Sequence, residues 1–546
     1  MTMQTETLAD LLAAGADDAT AISTPGGRPL THAALRELVR ATVERLNAVG
    51  IGRNDRVAIV MNNGPLMATS FLAVAAGATS APLNPAYRAD EFQFYLTDLN
   101  AKALLIEKGM ASPAREVAAK LNVPIIELIA TPDRGAGTFT LEAPALTGTY
   151  PAASPGYAAA GDIALVLHTS GTTSRPKIVP LSQKNVCASA QNVRQTVALS
   201  ATDRGLNIMP LFHIHGLIAG VLAPVAAGGE ICCTPGFNAL RFFAWMDEAR
   251  PTWYTAVPTM HQAILGRAAN NAEIIARNPL RFIRSSSSSL PPQVLHELES
   301  VFGCPVIEAY GMTEAAHQMA SNPLPPGVRK PGTVGLAAGP EVAVIDAAGN
   351  PVLAGVTGEV GIRGPNVTSG YENNPAANAD AFVNGWFRTG DQGVMDAEGY
   401  LTITGRLKEI INRGGEKISP REVDEVLMDH PAVAQVVTFA MPHDKLGEDV
   451  AAAVVLREGA AATERELRDF ASQRLADFKV PRKILLLPEI PKGATGKLQR
   501  IGLAQKLGLA RYTHNTEPQR HRDTEVFTER SLASSMAVLC DSVSLW

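Results

Sequence analysis

Ten consecutive residues, His168-Thr169-Ser170-Gly171-Thr172-Thr173-Ser174-Arg175-Pro176-Lys177, gather groups that handle phosphate. Five hydroxyl side chains, one glycine and two cations follow an apolar run over 163–167 that reads as a buried strand. Such a loop offers backbone N–H groups, hydroxyl donors and positive charge to a phosphate chain, and glycine lets the backbone come close. Its spacing is not the Gly-x-x-x-x-Gly-Lys-Ser/Thr pattern of the Walker loop. Taken alone, a polar surface turn accounts for it equally well. Three further clusters at the ends of predicted strands, where open α/β sheets bind ligands, weigh against that.

The first is Ala309-Tyr310-Gly311-Met312-Thr313-Glu314, just after a strand predicted over 305–307. A hydroxyl and a carboxylate side by side suit a phosphate oxygen and its Mg²⁺. The second is Trp386-Phe387-Arg388-Thr389-Gly390-Asp391, which alone reads as a turn. The third runs from Gly405-Arg406-Leu407-Lys408 to Glu416-Lys417-Ile418.

The elements that must position these groups alternate along the chain. Periodicity predicts helices over 30–49, 65–76, 90–99 and 113–121, and strands over 57–61, 80–83, 103–106 and 124–128. A second such run extends from 182 to about 304, with strands over 206–209, 230–233 and 253–257. This alternation means mostly parallel sheets with helices on their faces. Short alternating segments over 340–363 suggest a small β subdomain. After Arg406 a compact α+β unit is expected: a helix over 420–428, strands over 433–440 and 450–456, and a helix over 464–475. The expected fold is therefore α/β: a large N-terminal domain over 1–407 with stacked sheets and the β subdomain, then a smaller mobile domain over 408–510. Residues 511–546 read as a polar tail.

Composition narrows the class. With 546 residues, 46% of them hydrophobic and 18% charged, there is ample core for a soluble protein of two or three domains. A net charge of −5 argues against a nucleic-acid groove or a basic membrane patch. The five cysteines form no CxxC pair, which disfavours zinc and a disulfide framework and fits a reducing compartment. The N-terminus lacks a secretory apolar core, no segment reaches a spanning helix, and Ser544-Leu545-Trp546 is not a peroxisomal signal, so the cytoplasm is the expected location.

In this order and spacing, together with Pro491-Lys492-Gly493-Ala494-Thr495-Gly496-Lys497, the clusters resemble the acyl-adenylate-forming superfamily of acyl-CoA synthetases, adenylation domains and firefly-type luciferases. The likeness spans about 30–509. It implies a two-step ligase using ATP, Mg²⁺ and coenzyme A, in which an acyl-AMP forms and a thiol then displaces AMP. Thr172, Thr173 and Lys177 would hold the β- and γ-phosphates, with Ser170, Gly171, Ser289, Tyr310 and Gly311 completing the nucleotide contacts. Thr313 would touch the α-phosphate and Glu314 the metal. Asp391 and Arg406 would hold the ribose. Lys497 would bridge the attacking carboxylate and the α-phosphate. Lys497, Thr313 and His213 make up the implied reacting centre, and Lys408 matches the hinge about which the C-terminal domain rotates. Ser174 and Ile178 depart from the glycines many relatives carry.

The acid pocket of the superfamily maps onto Arg284-Ser285-Ser286-Ser287-Ser288-Ser289-Leu290, Ala315-Ala316-His317 and Pro210-Leu211-Phe212-His213-Ile214-His215-Gly216. Hydroxyls and imidazoles are costly to desolvate against an alkyl chain and suit a second carboxylate. The plain alternatives are a flexible serine loop and an alternating strand carrying His213 and His215. The segments 308–326 and 168–177 are very similar to those of the oxalyl-CoA synthetase subgroup. That likeness implies oxalate as the acid, with Ser287, His317 and His213 or His215 gripping its distal carboxylate. Other readings are a ligase for malonate or a short aliphatic acid, a carrier-protein-loading enzyme, and a non-catalytic scaffold. The carrier-loading reading expects Asp after Phe212, where His213 stands. Small molecules (oxalate, ATP and CoA) are the expected partners, with no nucleic acid and no membrane.

Overall fold

The computed structural model describes residues 5–146, 151–169, 176–492 and 498–509. The tail over 511–546 lies outside them.

The first alternating run becomes a seven-stranded sheet. Its order is Phe139–Glu142, Ile125–Ala130, Ala103–Glu107, Arg56–Val60, Thr79–Leu83, Ile163–His168 and Ile178–Ser182. Pairing is parallel through the middle and antiparallel at both edges. The second run becomes a nine-stranded sheet centred on Phe282–Ser286, Trp253–Ala256, Arg204–Asn207 and Glu230–Cys233, again parallel. Between the two sheets lies the helix Pro65–Ala75, in which every residue from Met67 to Ala75 is buried. A helix apolar on all sides belongs inside, and this one contacts strands of both sheets. Among the described residues no helix is long and apolar enough to cross a membrane.

The β subdomain is a five-stranded antiparallel sheet built from Glu341–Ile345, Gly358–Arg363, Trp386–Met395, Phe382–Val383 and Leu401–Arg406. The C-terminal sheet pairs Val433–His443 with Gly447–Leu456 along their whole length. Its helix Pro420–Met428 begins as the sequence predicts, with proline in the first turn and the Ser419 side chain capping Glu422 N. This domain rests on the larger one: Arg421 donates to Gly332 O at 2.9 Å and Gln262 to Ala434 O at 3.0 Å.

Three segments differ from the sequence reading. The strand predicted to end at 307 continues as Val306–Met312, because the antiparallel strand His317–Ser321 keeps pairing with it through Met312. Arg388-Thr389-Gly390-Asp391 is not a turn but the middle of Trp386–Met395, held by neighbours on both sides. His213 and His215 do not alternate on a strand, since His215 opens a π-helical segment, His215–Leu222. Such segments are rare and concentrate at functional sites.

Asp162 seats the strand that leads to the phosphate loop. It accepts from Arg53 Nε at 2.7 Å, Asn54 Nδ2 at 2.8 Å and Ala159 N at 2.7 Å. Burial pushes its carboxyl up, but these donors outweigh burial and hold it below the usual range. Asp162→Ala is expected to cost about 2 kcal/mol in a denaturant titration at neutral pH. A group lowered in the folded state stabilises only while ionised. The wild-type advantage should therefore be complete above about pH 4 and fade as pH falls through the native value; an advantage that grew on acidification would contradict this.

Candidate active site

The ends of the phosphate loop are clamped. Thr169 N donates to Lys177 O at 2.9 Å, and Lys177 N donates to Thr169 Oγ1 at 3.1 Å. Ser170, Gly171, Thr172 and Thr173 lie outside the described residues, as does Lys497. The Lys177 ammonium stands 4.3 Å over the ring of Tyr371, whose hydroxyl donates to Glu314 Oε1 at 2.8 Å. Glu314 is 7% exposed, and burial raises its carboxyl above the ordinary value despite the Tyr371 bond. Thr313 opens the single 3₁₀ turn, Thr313–Ala315, that carries Glu314.

Asp391 and Arg406 are register partners on adjacent strands, with Arg406 Nε 3.0 Å from Asp391 Oδ1. The carboxylate beside it raises the Arg406 guanidinium. Tyr310 donates its hydroxyl to Asp391 Oδ2, and Asp391 N donates to Thr389 Oγ1 at 3.1 Å. Glu359, which the sequence did not single out, accepts from Arg388 Nε at 2.7 Å and Gly390 N at 3.0 Å and so fixes the preceding strand. Lys408 follows in an exposed turn.

The serine run divides. Ser285 and Ser286 are buried in the strand Phe282–Ser286, whereas Ser287 is half-buried just past its end with φ +75°. Ser287 Oγ lies 3.0 Å from His215 Nδ1. The His215 ring stacks on His317 with centres 4.8 Å apart, and its Nε2 meets Thr255 Oγ1 at 2.7 Å and Arg284 Nη1 at 3.4 Å. His213 stands half-buried beside this group, its Nδ1 accepting from His215 N at 3.3 Å. Ser289 is half-buried further along. Thr255, Gln318 and Tyr371 were not found from sequence. Each is one polar residue inside an apolar or mixed segment, and only the tertiary packing reveals its partner.

Backbone strain collects here. Ala316 has φ +47° and His317 φ +103°, values that side chains adopt only when their surroundings impose them. Gly311 is dictated by the same return, since a Cβ on it would fall 1.8 Å from His317 O.

Strand-end polar clusters on a doubly layered α/β domain, with a smaller α+β domain docked beside them, define an adenylate-forming enzyme. A family model described as AMP-binding enzyme matches residues 11–372, and one described as AMP-binding enzyme C-terminal domain matches residues 422–497. The chain belongs to the AMP-binding enzyme family and is an AMP-forming acid–thiol ligase. It is 48% identical over 498 residues to a probable CoA ligase, CCL9, of Humulus lupulus, covering 90% of this chain and 94% of that one. It is 46% identical over 511 residues to an oxalate–CoA ligase of Arabidopsis thaliana, covering 92% and 99%. Among solved structures, ATP-bound MatB from Rhodopseudomonas palustris superposes with a TM-score of 0.81 at 29% identity, covering 93% of this chain and 98% of that one.

Gly311→Ala is expected to displace His317 and lower ligase turnover at least about 100-fold, because a shift on the order of 1 Å at reacting groups has that effect. Steady-state kinetics on the folded variant, checked by circular dichroism, decides this; near-wild-type turnover would mean the return relaxes harmlessly.

Proposed function

We propose that the enzyme joins oxalate to coenzyme A through an oxalyl-AMP intermediate. The observation that carries this reading is the Ser287–His215–His317 cluster with Arg284 beside it: four polar side chains in mutual contact, which suit a second carboxylate better than an alkyl chain. The similarity to the Arabidopsis oxalate–CoA ligase supports it.

In the first half-reaction one oxalate oxygen attacks the α-phosphorus of ATP, and the bond to the bridging oxygen breaks to release pyrophosphate. In the second, the CoA sulfur attacks the acyl carbon, and the bond to the AMP oxygen breaks. Asp391 and Arg406 hold the ribose, Asp391 by accepting from its hydroxyls. Thr313 donates to the α-phosphate, and Lys177 with Thr172 and Thr173 binds the outer phosphates. Lys497 draws the two anions together. Ser287 and His317, with His213 at the rim, hold the far carboxylate.

Among the described residues no three His, Cys, Asp or Glu side chains converge on a metal position. Mg²⁺ arriving on ATP phosphates needs only one or two protein carboxylates, and buried Glu314 fits that part. Bound there, the ion neutralises charge on the phosphates.

Two measurements test the reading. Acid-dependent pyrophosphate release should favour oxalate over malonate, acetate and octanoate by at least about 100-fold in kcat/KM; faster turnover of acetate or octanoate would remove oxalate while leaving a ligase. The domains at the Lys408 turn should rotate between half-reactions. Lys408→Pro is then expected to keep adenylate formation and slow thioester formation at least about 100-fold, with Lys497→Ala doing the reverse. Equal loss of both half-reactions in both variants would rule out the rotation.

A further inference from the structure

The strand that leads to Ser287 contains a cation to which neither half-reaction assigns a part. Arg284 sits in the strand Phe282–Ser286, wholly buried, and among the described residues no carboxylate pairs with it. Its hydrogen-bonding contacts are Gln318 Oε1 at 3.1 Å from Nη2 and His215 Nε2 at 3.4 Å from Nη1. Its Nε has no hydrogen-bond partner. Desolvation lowers the guanidinium to about 9, which still leaves it charged at neutral pH.

A buried ion without a counter-ion is a poor structural element, since an apolar side chain of similar volume would fill the space without desolvating a charge. The surroundings are nevertheless arranged to keep it. Gln318 gives both amide hydrogens elsewhere, to Thr196 Oγ1 at 2.9 Å and Ala338 O at 3.2 Å, so its carbonyl oxygen must face Arg284. Gln318 is itself fully buried.

The contact with His215 has a consequence for protons. A guanidinium has donors only, so the ring nitrogen facing it, Nε2, carries no hydrogen. Thr255, 2.7 Å from the same nitrogen, then donates as well. The ring hydrogen therefore resides on Nδ1 and points at Ser287 Oγ, 3.0 Å away. Accepting from His215 leaves the Ser287 hydroxyl hydrogen unused, so it is available to donate to an acid. The strained φ of +75° at Ser287 holds the side chain in this place.

We propose that Arg284 is a positioning residue for a dianionic acid: it supplies the fixed positive charge behind the pocket and sets the His215 tautomer that turns Ser287 into a donor toward the acid's far carboxylate. The proposal rests on the oxalate reading and deepens it, because it assigns the preference for a second negative charge to one residue outside the ATP site.

The test compares oxalate with glyoxylate, which keeps the size but lacks the far charge, in wild type, Arg284→Met and Arg284→Lys. Acid-dependent ATP–pyrophosphate exchange gives kcat and KM for each acid, and KM for ATP is measured alongside. Wild type is expected to prefer oxalate by about 100-fold or more. In Arg284→Met that preference should collapse to within about threefold, chiefly through KM for oxalate, with KM for ATP changed less than about twofold. Arg284→Lys, which keeps the charge and loses the fork, should fall between them. A structural role would lower kcat for both acids together and leave their ratio intact, and that result overturns the proposal. Should Arg284→Met not fold, the ratio in Arg284→Lys decides alone: a fall of about tenfold supports the proposal, and an unchanged ratio overturns it. If wild type shows no oxalate-dependent exchange, the oxalate reading itself fails; if it does and only the ratio is insensitive, the failure belongs to Arg284.

Discussion

Everything at the site depends on one tight return of the backbone, from Val306–Met312 through a single 3₁₀ turn into His317–Ser321. Within nine residues it sends Tyr310 to Asp391, Glu314 to Tyr371, His317 to His215 and Gln318 to Arg284. So tight a return needs a residue without Cβ at Gly311 and left-handed φ at Ala316 and His317. Non-glycine residues in such regions cost on the order of 1–3 kcal/mol each and persist only when overdetermined. Here the overdetermination is visible. Strand pairing holds both sides, and buried Asn366 donates from Nδ2 to Ala315 O at 2.8 Å and Gln318 O at 2.9 Å.

The charges around that return fall into two kinds. Asp391 has its cation in Arg406, so the proposed ribose end is electrostatically complete within the protein. Glu314 and Arg284 instead hydrogen-bond to neutral partners, a tyrosine hydroxyl in one case and an amide and an imidazole in the other, with Arg406 and Lys177 acting on Glu314 only from a distance. A buried charge with only neutral partners keeps part of its desolvation cost uncompensated until an opposite charge arrives. On the oxalate reading those arrivals are the metal on the phosphates and the far carboxylate. The folded protein is then less stable than it could be at the places where substrates bind.

Much of this was legible in the sequence because the chemistry-bearing residues are contiguous. Thr313-Glu314, the serine run and His168 to Lys177 stand out as polar clusters, although each alone reads equally well as a turn or loop. Elements with local signals were equally legible: Glu230–Cys233 ends at a Thr-Pro-Gly turn, and Pro420–Met428 carries its own cap and proline. The residues that escaped act through partners far along the chain. Thr255 is 40 residues from His215, and Tyr371 is 57 from Glu314. No periodicity encodes such a distance; the packing of loops and helices on the sheets does. Trp386–Met395 was misread for a related reason. Thr389-Gly390-Asp391 has turn composition, and tertiary pairing on both edges overrode it.

On the oxalate reading, selectivity has to come from polar groups, because oxalate has no methylene to recognise. A missing methylene is worth only about 1–3 kcal/mol in an apolar pocket, whereas a site built to hydrogen-bond its substrate rejects an analogue lacking the partner by about 10⁴–10⁵-fold. His215 is already engaged by Thr255, Ser287 and Arg284, so on that reading the acid meets a cluster whose internal bonds are already made. An alkyl acid in the same place would strip water from the Ser287 hydroxyl and offer the guanidinium nothing in return. On the oxalate reading that asymmetry rejects the wrong acid by the desolvation it forces, so a close fit is not needed to exclude longer acids.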